Sequence, residues 1–173
     1  MGYSWNCTVE NNTIIGNRLA GIAVENGRFI KAENNKINEN HTGILLWSDW
    51  SHQNLECIGP KGKTSHDWLI KNNEITDNRK GIRIANEQNQ GTISLPSDQE
   101  SKIYHRPYNH VIQSNTISKN YIGVELSGCD KTTFINNILK FNEVTDIKEF
   151  DCIDTKFIAD VKLADNITPW LDE

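Results

Sequence analysis

The sequence predicts an all-β solenoid of about five to six stacked coils, with two long loop insertions at one corner. The first observation is a recurring phrase: an Asn, an apolar residue two positions later, a second Asn, and then a Gly followed by an apolar residue. Its four clear copies and one weaker copy begin at Asn12, Asn35, Asn73, Asn115 and Asn137. Self-similarity at a fixed period of about 20–50 residues is the signature of repeat architectures.

The second observation is the spacing of these copies. The first interval is 23 residues and the last is 22, whereas the two middle intervals are 38 and 42, so roughly 15 and 19 extra residues are inserted there. Each unit contains three short apolar patches that alternate with polar residues, as half-buried strands do. Three strands make a triangular coil, and stacked coils pair like strands about 4.8 Å apart in three parallel sheets.

Three columns of apolar side chains are predicted to fill the interior, one from each sheet. The first column is Val9, Ala32, Ile70, Ile112 and Phe134, the second is Ile14, Ile37, Ile75, Ile117 and Leu139, and the third is Ile22, Ile44, Ile82, Val124 and Ile147. Rows of like, mostly β-branched side chains fit a pleated, buried surface.

Asparagines and glycines mark the turns between the strands. The Asn columns are Asn12, Asn35, Asn73, Asn115 and Asn137 at the first turn, and Asn17, Asn40, Asn78, Asn120 and Asn142 at the second. Asn tolerates left-handed backbone angles and stacked amides hydrogen-bond along a column, so both columns are interpreted as structural. The Gly column of Gly21, Gly43, Gly81 and Gly123 is expected to supply turn angles that a Cβ would oppose.

This repeat resembles the right-handed parallel β-helix repeat of the pectate-lyase-like superfamily over about residues 5–150. The phrases Gly-Tyr-Ser-Trp at 2–5, Gly-Ile-Ala-Val-Glu-Asn-Gly at 21–27 and Gly-Ile-Leu-Leu-Trp at 43–47 look closer still to an uncharacterised bacterial subgroup. The resemblance implies a right-handed parallel β-helix. Because the superfamily includes polysaccharide lyases, polygalacturonase-type hydrolases, uronan epimerases, phage tailspikes and non-catalytic proteins, it does not imply one function.

Composition argues against two kinds of partner. A net charge of −5 and a pI near 5.5 in 173 residues give no electrostatic footprint for nucleic acid. No apolar run reaches a transmembrane length and the first residues do not form a signal peptide, so no membrane partner is expected. The location is left unknown, and would be extracytoplasmic if the chain belonged to a longer secreted protein.

The two ends of the predicted stack raise further expectations. The sequence begins inside a coil, and an uncapped coil exposes strand edges, so we expect either a segment of a longer protein or an end-to-end homo-oligomer. Residues 155–173 are interpreted as a C-terminal cap, with a frayed tail as the alternative. Residues 1–173 would then be a single β-helix domain.

The two insertions, residues 47–67 and 85–109, are where a ligand site is predicted. Both leave after the third strand of a coil and return before the next strand, so they stand side by side, and long loops on a rigid scaffold often carry binding groups. Side chains suited to a polysaccharide or oligosaccharide cluster there: Trp47, Trp50, His52, His66, Trp68, Tyr104, His105, Arg106 and Tyr108. The alternative is that they only pack the loops onto the coils.

The outward face of the third sheet carries charged residues. Arg83, Glu125 and Lys148 follow three inward residues and form a ladder at about 5 Å per step. The structural interpretation is a cross-strand ion-pair row. The functional one is that Arg83 binds a uronate carboxylate or serves a lyase, with Glu125 beside it and a loop His or Tyr as general base.

A second pair of candidate catalytic residues is Asp49 and Glu87. They share the next outward column with Gly27, Cys129 and Cys152. Two carboxylates about 5 Å apart suit a retaining glycosidase and a wider gap suits an inverting one; the alternative is a pair of solvated loop acids. The other acidic residues are scattered, so no metal ligands are predicted and no cofactor is evident, and calcium is an unsupported option.

Cys129 and Cys152 lie 23 residues apart, which is one coil. Stacked Cα atoms of neighbouring coils fall within disulfide range, with a reduced stacked pair as the alternative.

Two functions from different classes follow from these patterns. The first is a carbohydrate-active protein, of lyase or glycoside hydrolase type, in which Asp49, Glu87, Arg83 and Glu125 are catalytic. The second is a non-catalytic β-helix module for glycan binding or assembly. The fold alone does not choose between them.

Overall fold

The computed structural model describes residues 4–48, 64–86, 106–159 and 161–162. This part of the chain forms short β-strands, and the like strands of successive coils pair in parallel. Three sheets result, with six, six and five strands in the described residues. The predicted all-β parallel helix is therefore confirmed, and the third sheet is the one from which both insertions leave.

The strands are numbered in chain order. The first sheet contains β1 (Thr8–Glu10), β4 (Lys31–Glu33), β7 (Leu69–Lys71), β10 (Val111–Gln113), β13 (Thr133–Ile135) and β16 (Lys156–Ile158). The second contains β2 (Thr13–Ile15), β5 (Lys36–Asn38), β8 (Glu74–Thr76), β11 (Thr116–Ser118), β14 (Ile138–Lys140) and β17 (Val161–Lys162). The third contains β3 (Ile22–Glu25), β6 (Thr42–Ser48), β9 (Lys80–Asn86), β12 (Ile122–Ser127) and β15 (Thr145–Phe150).

Strand register confirms the three predicted apolar columns. Every predicted neighbour pair is aligned, from Val9 with Ala32 in the first sheet to Val124 with Ile147 in the third. The members with no exposed surface are Ala32, Ile37, Ile44, Ile70, Ile75, Ile82, Ile112, Ile117, Val124, Phe134 and Leu139. Because burying one such aliphatic side chain contributes about 1.5–3 kcal/mol, these columns are the main source of stability.

The two asparagine columns form continuous hydrogen-bonded ladders. Asn78 shows the pattern: its Oδ1 accepts from the backbone N–H and from the Nδ2 of Asn40, at 2.9 and 3.0 Å. Its Nδ2 donates to the carbonyl of Ile37 at 3.1 Å and to Oδ1 of Asn120 at 3.0 Å. Each buried amide thus satisfies backbone groups at a turn that no sheet partner reaches.

The ladder asparagines are not the left-handed residues, contrary to the expectation from their turn propensity. The residue before each one has positive φ; these residues are Asn11, Asn34, Asn72, Ser114 and Asn136 at the first turn, and Gly16, Glu39, Asp77, Lys119 and Phe141 at the second. The left-handed residue turns the chain, and the following Asn is selected for its amide.

The glycine column also has a different cause from the predicted one. Gly43 and Gly81 do not have positive φ. A Cβ at Gly43 would lie 2.5 Å from the carbonyl oxygen of Gly81, and a Cβ at Gly81 would lie 2.5 Å from that of Gly123. Glycine is needed because the backbones of successive coils approach closely here, and the expectation of special turn angles was wrong.

The third sheet extends slightly into the predicted insertions. β6 reaches Ser48 and β9 reaches Asn86, because Trp47 pairs with Ala85 and Ser48 pairs with Asn86. Where the coils resume, the chain forms a column of isolated bridges rather than strands. We call this column the third corner; it contains Trp5, Arg28, His66, Tyr108, Asp130 and Ile153.

Part of the predicted cap continues the stack. β16 pairs with β13, and β17 pairs with β14. These residues add a strand to two of the sheets, and residues 160 and 163–173 of the predicted cap lie outside the described part. No helix long and apolar enough to cross a membrane occurs in the described residues.

Candidate functional site

Glu125 lies among three cations on the outward face of the third sheet. Arg83 and Lys148 are its register partners on the neighbouring strands. Its carboxylate accepts hydrogen bonds from Arg83 Nε at 3.0 Å and Lys80 Nζ at 2.5 Å, and Lys148 Nζ lies 3.6 Å away. We call Lys80, Arg83, Glu125 and Lys148 the cationic cluster, which has three positive charges against one negative charge.

These cations determine the charge state of Glu125. Burial acts to raise the pKa of this carboxyl, but the hydrogen bond and charge of Lys80, with the charges of Arg83 and Lys148, outweigh burial and lower it. The carboxylate is therefore ionised at neutral pH and cannot act as a general acid. Only 13% of the Glu125 side chain is exposed, against 58% for Lys148, so an incoming ligand would meet cations first.

Lys80 was not predicted as a member of this site. Strict alternation from the outward Arg83 would turn Lys80 toward the interior. The alternation fails because Gly81 faces the core, where its missing Cβ would meet Ile117, and the next residue, Ile82, is also buried. Two consecutive inward residues bring Lys80 to the outward face.

Apolar side chains border the cationic cluster. Leu45 is the register partner of Arg83, and Trp47 is the partner of Ala85, two residues further along the same strands. Leu45 is buried, whereas Trp47, a predicted binding residue, is half-buried. The other register partner of Trp47 is Glu25 on β3, so the indole stands two residues along the strands from the row of Arg83. Its partly exposed ring offers an apolar face near the cluster, on which a sugar ring could stack.

The third corner holds a stack of rings, including the predicted binding residues His66 and Tyr108. The ring of His66 stacks on Tyr108 with centroids 4.9 Å apart and meets Phe29 edge-on at 5.3 Å. His66 Nδ1 lies 2.6 Å from Asp67 Oδ2, and Asp67 in turn accepts from the Asn109 amide. Burial raises the pKa of Tyr108, so its hydroxyl stays protonated at neutral pH.

Arg106, another predicted binding residue, joins two coils at the third corner. Its Nε and Nη2 reach Asp130 Oδ1 at 2.9 and 2.8 Å, and its Nη1 reaches Asp151 Oδ2 at 2.8 Å. Burial acts to lower its pKa, but the two aspartates outweigh this and raise it. A guanidinium held on two carboxylates is a structural clamp rather than a cation presented to a ligand.

Trp68 does not have the binding role predicted for it. The ring is 1% exposed, and Nε1 donates to the Gly27 carbonyl at 3.1 Å. Trp68 stands two residues before the inward Ile70, so period-two alternation places it on the same inward face. That signal was present in the sequence and identifies Trp68 as a core residue.

His110 occupies the equivalent inward position two residues before Ile112. Its ring has no exposed surface, and Nδ1 accepts from the backbone N–H of Trp68 at 3.4 Å. Within the described part of the chain, Nε2 has no hydrogen-bond partner. Burial lowers the pKa of His110 to about 3, so the ring is neutral.

Several predicted site residues lie outside the described residues. These are the candidate catalytic Asp49 and Glu87, and the candidate binding residues Trp50, His52, Tyr104 and His105. The structure brings Arg83 and Glu125 together and leaves the roles predicted for the loop residues as predictions.

A concave surface lies on the outer face of the second sheet. It is a groove of about 350 Å³ that carries hydroxyl, acidic, basic and aromatic groups: Glu74, Thr76, Asp77, Thr116, Ser118, Lys119, Lys140 and Phe141. Lys140 Nζ lies 5.7 Å from the centre of the exposed Phe141 ring. Its charges are balanced, unlike those of the cationic cluster, so it is less suited to an anion.

Cys129 and Cys152 bring two thiols together on successive coils. Their Sγ atoms are 3.5 Å apart, and neither forms a disulfide. The hydrogen bond between them raises the pKa of Cys129 and lowers that of Cys152 to about 7. The outward position predicted for Cys129 was wrong: Gly128, with a φ of 64°, turns the chain so that Cys129 is fully buried.

Metal-binding groups are otherwise sparse in the described residues. Across 4–48, 64–86, 106–159 and 161–162, no three His, Cys, Asp or Glu side chains converge on a common point.

Comparison with known families agrees with the class that this geometry defines, the right-handed parallel β-helix proteins. A family model described as "Right handed beta helix region" matches residues 1–58. A second, described as "Periplasmic copper-binding protein (NosD)", matches residues 58–157, more than half of the chain. The chain therefore belongs to the NosD family of β-helix proteins. No curated protein and no solved structure matches it.

Proposed function

We propose that this β-helix binds an acidic polysaccharide through the cationic cluster and the adjacent Trp47. The observation that carries the proposal is the arrangement of three cations around one carboxylate on an outward sheet face. The whole chain has a net charge of −5, so the excess of positive charge among these four described residues is not a consequence of composition. A uronate carboxylate is the group that Lys and Arg side chains would recognise on a polysaccharide.

The same observation favours binding over catalysis at the cluster itself. Glu125 is kept ionised by its neighbours, so it cannot protonate a glycosidic oxygen. Hydrolysis would require a proton donor from elsewhere, and Asp49 and Glu87 remain the predicted carboxylates for that role. The lyase and hydrolase functions are therefore kept as extensions of the binding proposal.

The test is a binding panel that pairs acidic with neutral polysaccharides. We expect retention of the uronate-containing polymers, with affinity falling as salt is raised from 0.05 to about 0.5 M because screening weakens charge pairing. Equal retention of neutral polymers, or no retention at all, would contradict the proposal. Mass spectrometry of the recovered chains then detects lyase products with an unsaturated end, or hydrolase products with added water.

A second candidate function is copper binding in an extracytoplasmic compartment, to which the family description points. The specific observation that favours it here is the thiol pair, because thiolate sulfur is a soft donor and copper in its reduced state is a soft ion. The test is uptake of Cu(I) by the reduced protein under anaerobic conditions. Uptake of less than about 0.1 equivalent at micromolar concentration would exclude the candidate.

A further inference from the structure

The thiol pair is built into the stack rather than placed on a flexible segment. Backbone hydrogen bonds join the two coils on both sides of it, from Gly128 N–H to the Phe150 carbonyl at 2.9 Å and from Ile153 N–H to the Cys129 carbonyl at 3.1 Å. These bonds hold Cys129 and Cys152 at equivalent positions of successive coils. The 3.5 Å sulfur separation is therefore a property of the coil stack.

The two sulfurs have different surroundings. Cys129 belongs to the buried core that also contains Trp68, and the Thr132 hydroxyl donates to its Sγ at 3.9 Å. Cys152 packs against this core but is partly exposed. An ion held between them would have an apolar wall behind it and a route from solvent through Cys152.

The donor set selects the kind of ion. Tetrahedral zinc sites use four ligands, and Cu(II) prefers nitrogen and oxygen ligands in a square arrangement. Within the described ranges no third His, Cys, Asp or Glu joins the pair. Cu(I) is the soft ion that is satisfied by two thiolates in a linear arrangement, and a partly exposed Cys152 side chain can rotate to admit it.

We propose that Cys129 and Cys152 bind one Cu(I) ion as a bis-thiolate site. This inference rests on the copper-binding candidate above and adds the stoichiometry of one ion and its coordination by both thiolates. On binding, both thiols lose their protons to solvent and two sulfur–copper bonds form. No electron is transferred, so the complex carries one net negative charge and the step needs no oxidant or reductant.

The experiment is a competition for Cu(I) between the fully reduced protein and a chromogenic Cu(I) chelator, without oxygen. We expect the wild type to remove one equivalent from the chelator. Cys129→Ala and Cys152→Ser should each weaken binding by at least about 100-fold, since one remaining thiolate leaves Cu(I) half-coordinated. The matched control is Cys7→Ser, because Cys7 is an exposed cysteine outside the pair; it should bind as the wild type does.

The outcomes distinguish failure of the proposed site from failure of the copper-binding function on which it rests. If the wild type takes up Cu(I) and both pair variants still bind equally well, the site is overturned while copper binding stands. If the wild type takes up none, both are overturned. Because Cys129→Ala changes a core residue, circular dichroism must show that this variant is folded. Cys152 is partly exposed, so Cys152→Ser tests the same site with less risk to folding. X-ray absorption should report sulfur ligands only.

Discussion

The first two turns of each coil and the third corner differ in what is repeated. At the first two turns an asparagine recurs, and its amide makes the same hydrogen bonds in coil after coil. At the third corner no residue type recurs, and the aligned residues are aromatic, charged or aliphatic: Trp5, Arg28, His66, Tyr108, Asp130 and Ile153. Stacking requires the same residue at equivalent positions of successive coils, whereas positions at which the residue varies are available for other roles. Function in this β-helix is accordingly sought at the third sheet and third corner.

The largest expected effect is at a repeating turn. Asn78→Ala removes the acceptor for the backbone N–H of Asn40, which then lies buried without a partner, and removes one of the three acceptors of the Asn40 side-chain amide. We expect a loss of about 3 kcal/mol in the free energy of unfolding, measured by denaturant titration. The control is Asn38→Ala. Among the described hydrogen bonds, the Asn38 side-chain amide makes only a long one, to the carboxylate of Glu39 at 3.5 Å. A loss below about 0.5 kcal/mol for Asn78→Ala would show that the ladders are not structural.

The next effect concerns pH and comes from the buried ring of His110. The pKa of His110 is lowered from 6.5 to about 3 in the folded state. As the pH falls, the unfolded chain therefore binds a proton at this residue before the folded protein does. Its contribution to stability is present above pH 6.5 and is lost as the pH falls toward 3, by about 2 kcal/mol between pH 6.5 and pH 5.

The measurement is the free energy of unfolding against pH for the wild type and for His110→Leu, which cannot titrate. The variant should lose less stability than the wild type over this window. His41→Gln at an exposed ring is the control and should keep the wild-type slope. Identical slopes for wild type and His110→Leu would mean that His110 is not buried in its neutral form.

A smaller effect is expected at the third corner. Arg106→Ala removes charge-assisted hydrogen bonds to Asp130 and Asp151 on two successive coils. We expect a loss of about 1.5 kcal/mol in the free energy of unfolding, by thermal or urea denaturation. The exposed Arg18 supplies the matched Arg→Ala control. A loss as large as that of Asn78→Ala would remove the distinction between the corners.

The smallest effect on stability is expected in the cationic cluster. Lys148 is 58% exposed and its Nζ is 3.6 Å from Glu125, so Lys148→Ala should change the free energy of unfolding by less than about 0.5 kcal/mol. The same variant should weaken binding of an acidic polysaccharide, measured on an affinity gel. If the cluster is a ligand site, the substitution should weaken binding clearly while changing stability little. A large loss of stability would instead favour a structural ion-pair row.

The repeat made most of the fold predictable. The apolar columns and asparagine ladders follow from one phrase read at its period, because every coil must present the same groups to the next. The burial of Trp68 was also predictable, since it stands two residues before an inward isoleucine. What failed were properties of single positions: the left-handed residue precedes the ladder Asn, and Gly43 is needed for backbone approach rather than for φ.

The candidate site was less predictable for physical reasons. Arg83 and Glu125 share a strand position, so register alone brings them together. Lys80 reaches them only because the inward Gly81 interrupts the alternation. Cys129 is turned inward by a left-handed Gly128. The loop residues Asp49 and Glu87 belong to aperiodic insertions, where the repeat offers no register to reason from.

The most direct test of a ligand site at the third sheet measures binding of one uronate oligosaccharide by Arg83→Ala and Glu125→Gln with isothermal titration calorimetry. The two variants should act in opposite directions. Removing the cation should weaken binding by about tenfold, and removing the carboxylate, which competes for the same cations, should strengthen it. Lys140→Ala, in the groove of the second sheet, should bind as the wild type does. Loss of binding in Lys140→Ala alone, or no change in either cluster variant, would contradict the assignment of function to the third sheet.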